Sequence, residues 1–382
     1  MSTAGSIRQN EANGTWGFVV DVPSNDGKRR QIRRRGFRTK KAAQAELAAL
    51  IADAQRGVLV APNRITLGGY LVDTWLPAKR STLRASTLSG YEHVVTRYVL
   101  PELGKARLQA MDGAALNSFY QRLLTVGHNQ GHGLAPKTVR NVHGVLSRAM
   151  RDAVRWGHLQ RNPCDTADPP SKRTPEMRVW TSEQLRAFAQ SVEADRWAAV
   201  WLLLASTGMR RGEVLGLRWT DADLSAGTVT IRSTRIRFGD TVVTSTPKTA
   251  RGNRAIALGP DIIAALKAWK KAQTAERLAM GSGWRGDHEL IVTTADGAAV
   301  KPDALSGRFA TLVRRSGLPP IRLHDVRHSY ATAALAAGVP VKVLSQRLGH
   351  AGVGITLEVY AHVLPGDDQE AARRADALLF GP

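Results

Sequence analysis

The sequence predicts a mostly α-helical, multi-domain protein: a small α+β unit, an all-helical domain, and a mainly α domain with a small antiparallel sheet. Three observations predict this class. The chain has 382 residues, enough for two or three domains. Apolar and polar residues alternate near the N-terminus, whereas apolar residues recur at helical spacing from Thr66 onward. A polar, proline-rich stretch without periodicity interrupts the helical pattern. We therefore divide the chain into residues 1–62, 63–164, a linker at 165–176, and 177–382.

The N-terminal unit reads as a hairpin followed by one helix. Trp16, Phe18 and Val20 alternate along a strand, and the sequence S-N-D-G at residues 24–27 is typical of a turn before a second strand. Thr39 then precedes a segment with helical spacing of its apolar residues, which are Ala43, Leu47, Leu50, Ile51 and Ala54. A small sheet backed by one helix is expected.

A strongly basic run follows the turn of this hairpin. Residues 28–41 contain nine Lys or Arg in fourteen positions and no acidic residue. A solvated basic face would explain the run without any partner. The charge of the whole chain instead favours a strand face that contacts DNA. The candidate contact residues are Arg29, Arg30, Arg33, Arg34 and Arg35.

Composition favours a polyanionic partner. Lys and Arg exceed Asp and Glu by 54 to 32, a formal net charge of +22, which points to nucleic acid before an acidic membrane surface. The single cysteine, Cys164, excludes an intramolecular disulfide. The longest apolar stretch is far shorter than the ~20 residues that cross a bilayer. We expect a protein of the reducing cytosol with no membrane partner.

The helical domain is expected to contain four or five helices joined by short connections. Two apolar stripes support it: Leu67, Tyr70, Leu71, Thr74 and Trp75, then Leu88, Tyr91, Val94, Val95 and Tyr98. After the linker, the sequence T-S-E-Q at residues 181–184 is typical of a helix start, and residues 197–206 are apolar nearly all round. Short β-type runs at 228–232, 242–245 and 254–258 predict one small sheet.

Three clusters in the C-terminal domain combine residue types that can bind phosphate. The sequence T-G-M-R-R-G-E at 207–213 presents Arg210 just after a glycine, where its planar guanidinium can bind two phosphate oxygens. In H-D-V-R-H at 324–328, His324 and Arg327 share a helix face. The sequence L-G-H ends at His350, and Tyr360 follows ten residues later.

Together these clusters resemble the tyrosine recombinase family of phage-type integrases. The resemblance covers the T-G-x-R-x-x-E box, the lysine in T-P-K-T at 246–249, H-x-x-R, L-G-H and the final tyrosine, all in the family's order and separation. It implies an N-terminal three-stranded arm-binding domain, a helical core-binding domain and a catalytic domain. The implied activity is DNA integration and recombination through a covalent 3′-phosphotyrosine, without ATP, metal or other cofactor.

The resemblance also implies a role for each motif residue. Tyr360 would be the nucleophile, Arg210 and Arg327 would clamp the scissile phosphate, and Lys248 would protonate the 5′-oxygen leaving group. His324 and His350 would be the two hydrogen-bonding histidines, with His324 the favoured proton acceptor from Tyr360. Glu213 would orient the cationic groups without touching DNA.

Several alternatives stay open at this point. On residue type alone, Tyr330 and His362 could replace Tyr360 and His350, and the lysines at 267, 270 and 271 could replace Lys248. His324 and His328, four residues apart, could form a zinc pair, although Arg327 would place a positive charge beside the metal. The function could also be that of a DNA-binding regulator without cleavage, or of a type IB topoisomerase.

The expected partners follow from the resemblance. One is double-stranded DNA carrying core-type and arm-type attachment sites of a phage or other mobile element. The others are three further copies of this chain and two accessory proteins, an excisionase and a DNA-bending host factor. Residues 367–380 show helical spacing. This tail would either cap its own domain or exchange onto a neighbouring protomer.

Overall fold

The computed structural model describes residues 5–23, 29–55, 60, 62–127, 131–171, 178–238, 241–245, 252–286, 289–360 and 368–380. The chain divides into two compact units, Met1–Thr174 and Pro175–Pro382. Each unit has buried cores of its own. The predicted mostly helical class with small antiparallel sheets is confirmed. Among the helices that the structure describes, none is both long and apolar enough to cross a membrane.

The N-terminal part of the first unit is a three-stranded antiparallel sheet with one helix packed on it. Its elements are β1 (Gly5–Gln9), β2 (Trp16–Pro23), β3 (Arg29–Phe37) and α1 (Lys40–Gln55). The core between sheet and helix contains Phe18, Val20, Ile32, Ala43, Leu47 and Leu50. The period-2 pattern of β2 therefore buries one face of the sheet, as the sequence predicted.

The arginines of β3 are divided between the two faces of this sheet. Ile32 pairs with Val20, and both side chains lie in the core. Arg34, two residues further on, lies on the same side as Ile32 and forms an ion pair with Glu46 of α1. The helix-facing arginine is therefore occupied by a carboxylate.

The opposite face of the sheet is open and basic. Arg33 and Arg35 alternate with Arg34 and lie on this face, together with Arg8 of β1 on the far side of β2. All three are exposed. The side chains of the other two candidates, Arg29 and Arg30, lie outside the described part of the chain. We call Arg8, Arg33 and Arg35 the open-face arginines.

Four helical stretches form the rest of the first unit, as far as its residues are described. The first joins α2 (Leu67–Gly69), a π-helical segment (Tyr70–Trp75) and α3 (Leu76–Lys79). The second joins α4 (Ala85–Val94), a π-helical segment (Val95–Val99) and α5 (Leu100–Leu103). They are followed by α6 (Gly113–Thr125) and α7 (Pro136–Arg155), with short 3₁₀ turns at Leu108–Ala110 and Pro163–Thr166.

The π-helical turn changes the predicted apolar stripe. Its wider turn adds about one residue, which shifts every later position around the helix. Trp75 and Leu76 are consequently buried side by side, whereas Thr74 is exposed. The prediction that Thr74 shares the buried stripe is wrong, because it assumed a regular α-helical period.

The first residues of the predicted linker hydrogen-bond to the helical domain. The backbone N–H of Asp168 donates to Oδ1 of Asn117 at 2.7 Å, and Nη1 of Arg140 donates to the carbonyl of Pro170 at 2.9 Å. Residues 172–176 of the predicted linker lie outside the described residues. The domain boundaries drawn from the sequence stay a prediction.

The second unit contains nine of the described helices and five short strands. The helices are α8 (Ser182–Ser191), α9 (Ala198–Thr207), α10 (Arg211–Gly216), α11 (Pro260–Met280), α12 (Pro302–Ser316), α13 (Leu323–Ala336), α14 (Val341–Leu348), α15 (Val353–Tyr360) and α16 (Asp368–Phe380). The strands are β4 (Ala222–Asp223), β5 (Thr228–Ile231), β6 (Thr234–Phe238), β7 (Thr241–Ser245) and β8 (Arg254–Ala257). The predicted tail helix is present as α16.

The predicted β-type runs fall in two antiparallel sheets instead of one. Strand β5 pairs with β4 and with β8, whereas β6 and β7 form a separate hairpin inserted between β5 and β8 in the chain. The hydroxyl of Ser233, between β5 and β6, donates to the carbonyl of Gly216 at 2.6 Å. This contact holds the residue before the hairpin against the end of α10.

An aromatic cluster links α8 and α12 to α13, which carries two of the predicted site residues. Trp180, Phe188 and Phe309 pack against one another with ring centroids 5.1 to 5.9 Å apart. The backbone N–H of Trp180 donates to the hydroxyl of Ser329 on α13, and its indole Nε1 donates to the carbonyl of Pro319, both at 2.9 Å. Trp180 therefore packs on α8 and α12, and its two hydrogen bonds reach α13 and the segment before it.

We expect Trp180→Phe to lower the free energy of unfolding by about 2 kcal/mol, because it leaves the Pro319 carbonyl without its donor. Trp284→Phe is the matched control, since the indole N–H of Trp284 is buried and lacks a partner among the described residues. Denaturant unfolding monitored by circular dichroism gives both values. Equal losses in the two variants would contradict the importance of the Trp180 hydrogen bond.

Candidate active site

Gly208 turns the chain from α9 toward Arg210. Its φ of +63° lies in the left-handed region that favours glycine. A Cβ at this position would lie 2.6 Å from Cδ1 of Tyr330 and 2.8 Å from Cδ2 of Leu348. Both the backbone angle and the close approach of two side chains therefore require glycine. The turn places Arg210 directly before α10, at its N-cap position.

The carboxylate of Glu213 is shared by two arginines. Arg210 donates its backbone N–H to Oε2 and its Nη1 to Oε1, both at 2.8 Å. Arg254, at the start of β8, donates Nη1 to Oε1 at 3.1 Å and Nη2 to Oε2 at 2.9 Å. The side chains of Glu213 and Arg254 are only 5% and 7% exposed, whereas that of Arg210 is 41% exposed. Arg254 is therefore the buried partner, and Arg210 reaches solvent.

The charge state of the Glu213 carboxyl group follows from its hydrogen bonds to the two arginines. Burial alone would raise the pKa of the carboxyl group, but the hydrogen bonds and charge of Arg254, with those of Arg210, hold the pKa below its usual value. Glu213 is therefore ionised at neutral pH and balances part of the positive charge of the site.

Arg327 joins two of the sequence motifs. It lies on α13 and is almost completely buried, at 3% exposure. Its Nη1 donates to the carbonyl of Gly208, and its Nη2 donates to the carbonyl of Leu348, both at 2.7 Å. One guanidinium thus holds the segment before Arg210 and the segment before His350 in fixed positions.

The C-terminal end of α14 receives hydrogen bonds from three arginines. Nε of Arg254 donates to the carbonyl of Arg347 at 2.5 Å, and Nη2 of Arg210 donates to the carbonyl of Gly349 at 3.4 Å. The carbonyl of Leu348 between them accepts from Arg327. The last carbonyls of a helix lack partners within the helix and carry partial negative charge. Three arginines from separate segments of the chain therefore cap the helix that precedes His350.

The imidazole of His350 is placed by both neighbouring helices. Its backbone N–H donates to the carbonyl of Ser345 on α14 at 3.1 Å. Its Nδ1 lies 2.8 Å from the hydroxyl oxygen of Thr356 on α15. Burial, together with the charges of Arg327 and Arg210, lowers the pKa of His350 to about 4. The ring is neutral at pH 7.

His324 is also held neutral beside the arginines. It lies one turn before Arg327 on α13 with its side chain exposed on one side, and partial desolvation followed by the charge of Arg327 lowers its pKa. The His328 ring packs edge to face on His324, with centroids 5.0 Å apart, and burial lowers the pKa of His328 to about 4. Across the described residues, no group of three or more His, Cys, Asp or Glu side chains is arranged to hold a metal ion.

Five of the predicted site residues lie together. Hydrogen bonds link Arg210 to Glu213, and link Arg210 and Arg327 to the segment that ends at His350. The charge of Arg210 also acts on both His324 and His350. We call this set the arginine–histidine cluster; its members are Arg210, Glu213, His324, Arg327 and His350.

The remaining predicted residues are placed less fully. Lys248 lies outside the described residues. Tyr360 is the last residue of α15, and its side chain is likewise outside the described part. Tyr330, the alternative nucleophile, is half-buried, and its hydroxyl accepts a hydrogen bond from Nε of Arg347 at 2.9 Å. The other alternative, His362, falls outside the described residues.

The structure adds two residues that the sequence did not single out. Arg254 opens a predicted β-type run, but no motif marks it as a neighbour of Glu213. Thr356 lies four residues before Tyr360, and helical spacing is the one signal that relates the two. Both make direct hydrogen bonds to members of the arginine–histidine cluster.

Three separate parts of the chain match known protein families. Residues 178–366 match the phage integrase family, residues 6–54 match an Arm DNA-binding domain, and residues 69–124 match the N-terminal SAM-like domain of phage integrases. A XerC-like tyrosine recombinase of Caldanaerobacter subterraneus subsp. tengcongensis is 28% identical over 362 residues, which cover 90% of this chain and 91% of that protein. The ICEBs1 integrase of Bacillus subtilis is 27% identical over 81% of this chain and 82% of its own length.

Solved structures share the fold. A structure of the Tn1549 transposon integrase in complex with transposon right end DNA has a TM-score of 0.68 at 21% identity, covering 83% of this chain and 100% of that chain. A lambda integrase tetramer bound to a Holliday junction has a TM-score of 0.57 at 18% identity, covering 95% of this chain and 96% of that chain.

The fold, the motifs and these matches define a tyrosine-type, site-specific DNA recombinase. The chain belongs to the phage integrase family. The resemblance drawn from the sequence motifs, and the function of site-specific DNA recombination that it implied, are confirmed.

We expect Arg254→Met to destabilise the second unit by about 3–5 kcal/mol at neutral pH, because it leaves the buried Glu213 carboxylate without its main partner. The matched control is Arg186→Met, which removes an exposed partner of Glu183 and should leave stability within experimental error of the native chain. Thermal and denaturant unfolding measure both.

The loss of stability in Arg254→Met should depend on pH. The depressed pKa of Glu213 contributes stability that is present above the unfolded value of about 4.3 and is lost as pH falls through the folded pKa. The difference in free energy of unfolding between the native chain and Arg254→Met should therefore become smaller below about pH 4. If this difference stayed constant down to acid pH, the role of Arg254 as the partner of the ionised Glu213 would be contradicted.

Proposed function

We propose that this recombinase breaks and rejoins DNA through a covalent 3′-phosphotyrosine at Tyr360. The observation that carries the proposal is the arginine–histidine cluster, in which two guanidinium groups and two neutral imidazoles lie together and His350 contacts the helix that ends at Tyr360. Scissile DNA phosphate is the substrate that this chemistry fits, because guanidinium binds phosphoryl oxygens with two parallel hydrogen bonds.

Each group has its own chemical role in this reaction. The phenol of Tyr360 has an ordinary pKa of about 10, so it needs a proton acceptor as its oxygen attacks phosphorus. We assign this role to His324, whose lowered pKa leaves it neutral. Arg210 and Arg327 stabilise the negative charge that develops on the phosphoryl oxygens, and His350 donates a further hydrogen bond.

The reaction balances without any cofactor. The bond between Tyr360 Oη and phosphorus forms as the bond from phosphorus to the 5′-oxygen breaks, and Lys248 supplies the proton to that oxygen. The phosphotyrosine keeps the energy of the phosphodiester, so a free 5′-hydroxyl of another strand can reverse the step. Glu213 does not touch DNA, and it orients Arg210 through two hydrogen bonds.

The N-terminal sheet is proposed to bind arm-type sites. The open-face arginines form one exposed basic face, whereas Arg34 is neutralised by Glu46 on the other face. Clusters of arginine on one face supply the salt-dependent affinity typical of DNA binding. The proposed domains are residues 1–62 for arm DNA, 63–164 for core DNA and 177–382 for catalysis, with a linker at 165–176.

The assembly and setting follow from the reaction. Exchange between two duplexes needs four cleavages, so we propose a homotetramer on paired attachment sites, as in the lambda integrase structure on a Holliday junction. An excisionase and a DNA-bending host factor are proposed partners for integration and excision of a mobile element. The site of action would be the bacterial cytosol, where the host DNA lies.

We expect the native chain to form a covalent protein–DNA adduct on a nicked attachment-site duplex that traps the intermediate. Tyr360→Phe should form none, because it lacks the attacking oxygen. Tyr330→Phe is the matched control and should still form the adduct. Denaturing electrophoresis of labelled DNA detects the product.

Three outcomes would contradict the proposal. An adduct from Tyr360→Phe would remove the assigned nucleophile. No adduct from the native chain would favour a DNA-binding regulator that does not cleave. Relaxation of supercoiled DNA without exchange between two duplexes would favour a type IB topoisomerase.

We expect Arg8→Ala, Arg33→Ala and Arg35→Ala each to weaken binding to arm-type DNA and to lower the slope of log K against log salt by about 1. Arg34→Ala is the matched control on the other face and should change the slope little. Binding isotherms of the full chain at several salt concentrations measure this. Equal effects of Arg34→Ala and Arg33→Ala would contradict the assigned face.

A further inference from the structure

Helix α15 is anchored by a polar side chain. Thr356 is fully buried, at 0% exposure. The apolar residues around it, Val353, Ile355 and Leu357, are 37%, 44% and 40% exposed. A helix that packed for apolar burial alone would show the opposite arrangement. The one described buried position of α15 therefore carries a hydroxyl, which indicates a polar role at this point.

The hydroxyl has a specific partner. Oγ1 of Thr356 lies 2.8 Å from Nδ1 of His350. The backbone of His350 is already fixed by the Ser345 carbonyl and by the arginines that cap α14. What stays undetermined without Thr356 is the rotation of the ring and the nitrogen that carries the proton.

A neutral imidazole has one N–H and one bare nitrogen. Burial and the surrounding arginines keep His350 neutral at pH 7. A neutral ring can donate to a phosphoryl oxygen through Nε2 only if its Nδ1 is bare. A bare Nδ1 needs a donor, and a threonine hydroxyl can be one.

We propose that Thr356 is a positioning residue for His350: its hydroxyl donates to Nδ1 and thereby holds the ring with its proton on Nε2, facing the phosphate. The inference rests on the proposed function of the arginine–histidine cluster. Ring nitrogens of functional histidines are set in this way by the hydrogen bond that the other nitrogen makes.

The position of Thr356 on α15 couples the docking of this helix to the orientation of His350. It lies on α15 four residues, about one helical turn, before Tyr360. The hydrogen bond to His350 can form only while α15 is docked beside α14. Docking of the helix that carries the nucleophile and orientation of His350 are therefore one event, so an active site whose own α15 has left also loses an oriented His350.

The test compares Thr356→Val, which removes the hydroxyl at nearly constant volume, with Thr356→Ser, which keeps it. Single-turnover cleavage of the nicked attachment-site duplex should fall about 10–100-fold in Thr356→Val, the range typical of such supporting hydrogen bonds. Thr356→Ser should restore the rate to within a few-fold of native. Equal rates for Thr356→Val and the native chain would overturn the proposal.

A double-mutant cycle separates positioning from packing. In the His350→Asn background, Thr356→Val should cause no further loss of cleavage, because the ring that it orients is absent. Losses that multiply in the double variant would show that Thr356 acts only through the packing of α15, and the proposal would be wrong.

A spectroscopic measurement needs no activity. In the full chain labelled with ¹⁵N-histidine, long-range ¹H–¹⁵N spectra distinguish a protonated from a bare ring nitrogen, and His350→Asn identifies the His350 signals. We expect Nε2 protonated and Nδ1 bare in the native chain. A protonated Nδ1 would overturn the proposal even if Thr356→Val failed to fold.

The two levels of inference fail differently. If the native chain forms no adduct, the proposed function fails, while the tautomer of His350 still reports on the hydrogen bond. If the native chain forms the adduct and Thr356→Val cleaves equally fast, only the role of Thr356 fails.

Discussion

The site depends on the carbonyl end of α14. A helix that ends inside a protein leaves carbonyl groups without intrahelical partners, and burying them unsatisfied is costly. Here the carbonyls of residues 347, 348 and 349 receive hydrogen bonds from Arg254, Arg327 and Arg210, which come from three distant parts of the chain. The same contacts that satisfy the helix end therefore bring the separate motifs together and fix the backbone at His350.

Glu213 makes this concentration of arginine possible. Guanidinium groups repel one another at short range, and the repulsion is strongest where water is excluded. The buried carboxylate lies between Arg210 and Arg254 and accepts hydrogen bonds from both. Since Arg254 takes the buried side, Arg210 stays 41% exposed. The two arginines therefore differ in role, because Arg254 satisfies the interior whereas Arg210 stays accessible to a phosphate.

Residue type and spacing predicted most of the fold, and the motif resemblance named five residues that the structure brings together. Both failed where contacts between distant segments decide. The alternation in β2 and the helix start at Thr181 depend on local chemistry, so both appear in the structure. Thr74 was misplaced because the prediction assumed the regular α-helical period, which the π-helical turn shifts. Arg254 and Thr356 were missed because each acquires its partner only when β8 or α15 packs beside α14. Spacing along the chain therefore does not predict these two contacts.

The chemistry of the site separates fixed charge from proton transfer. Arginine keeps its charge at any physiological pH, so Arg210 and Arg327 can stabilise phosphate charge without being altered by the reaction. Their field, added to burial, lowers the pKa of His324 and His350, so that both rings are neutral. A neutral ring can accept a proton or donate one, depending on which nitrogen is protonated. Besides the proposed binding of phosphate, the arginines therefore have a second effect. By keeping the histidines uncharged they make the tautomer of each ring the chemically decisive variable, and for His350 the one described contact that can set it is the hydroxyl of Thr356.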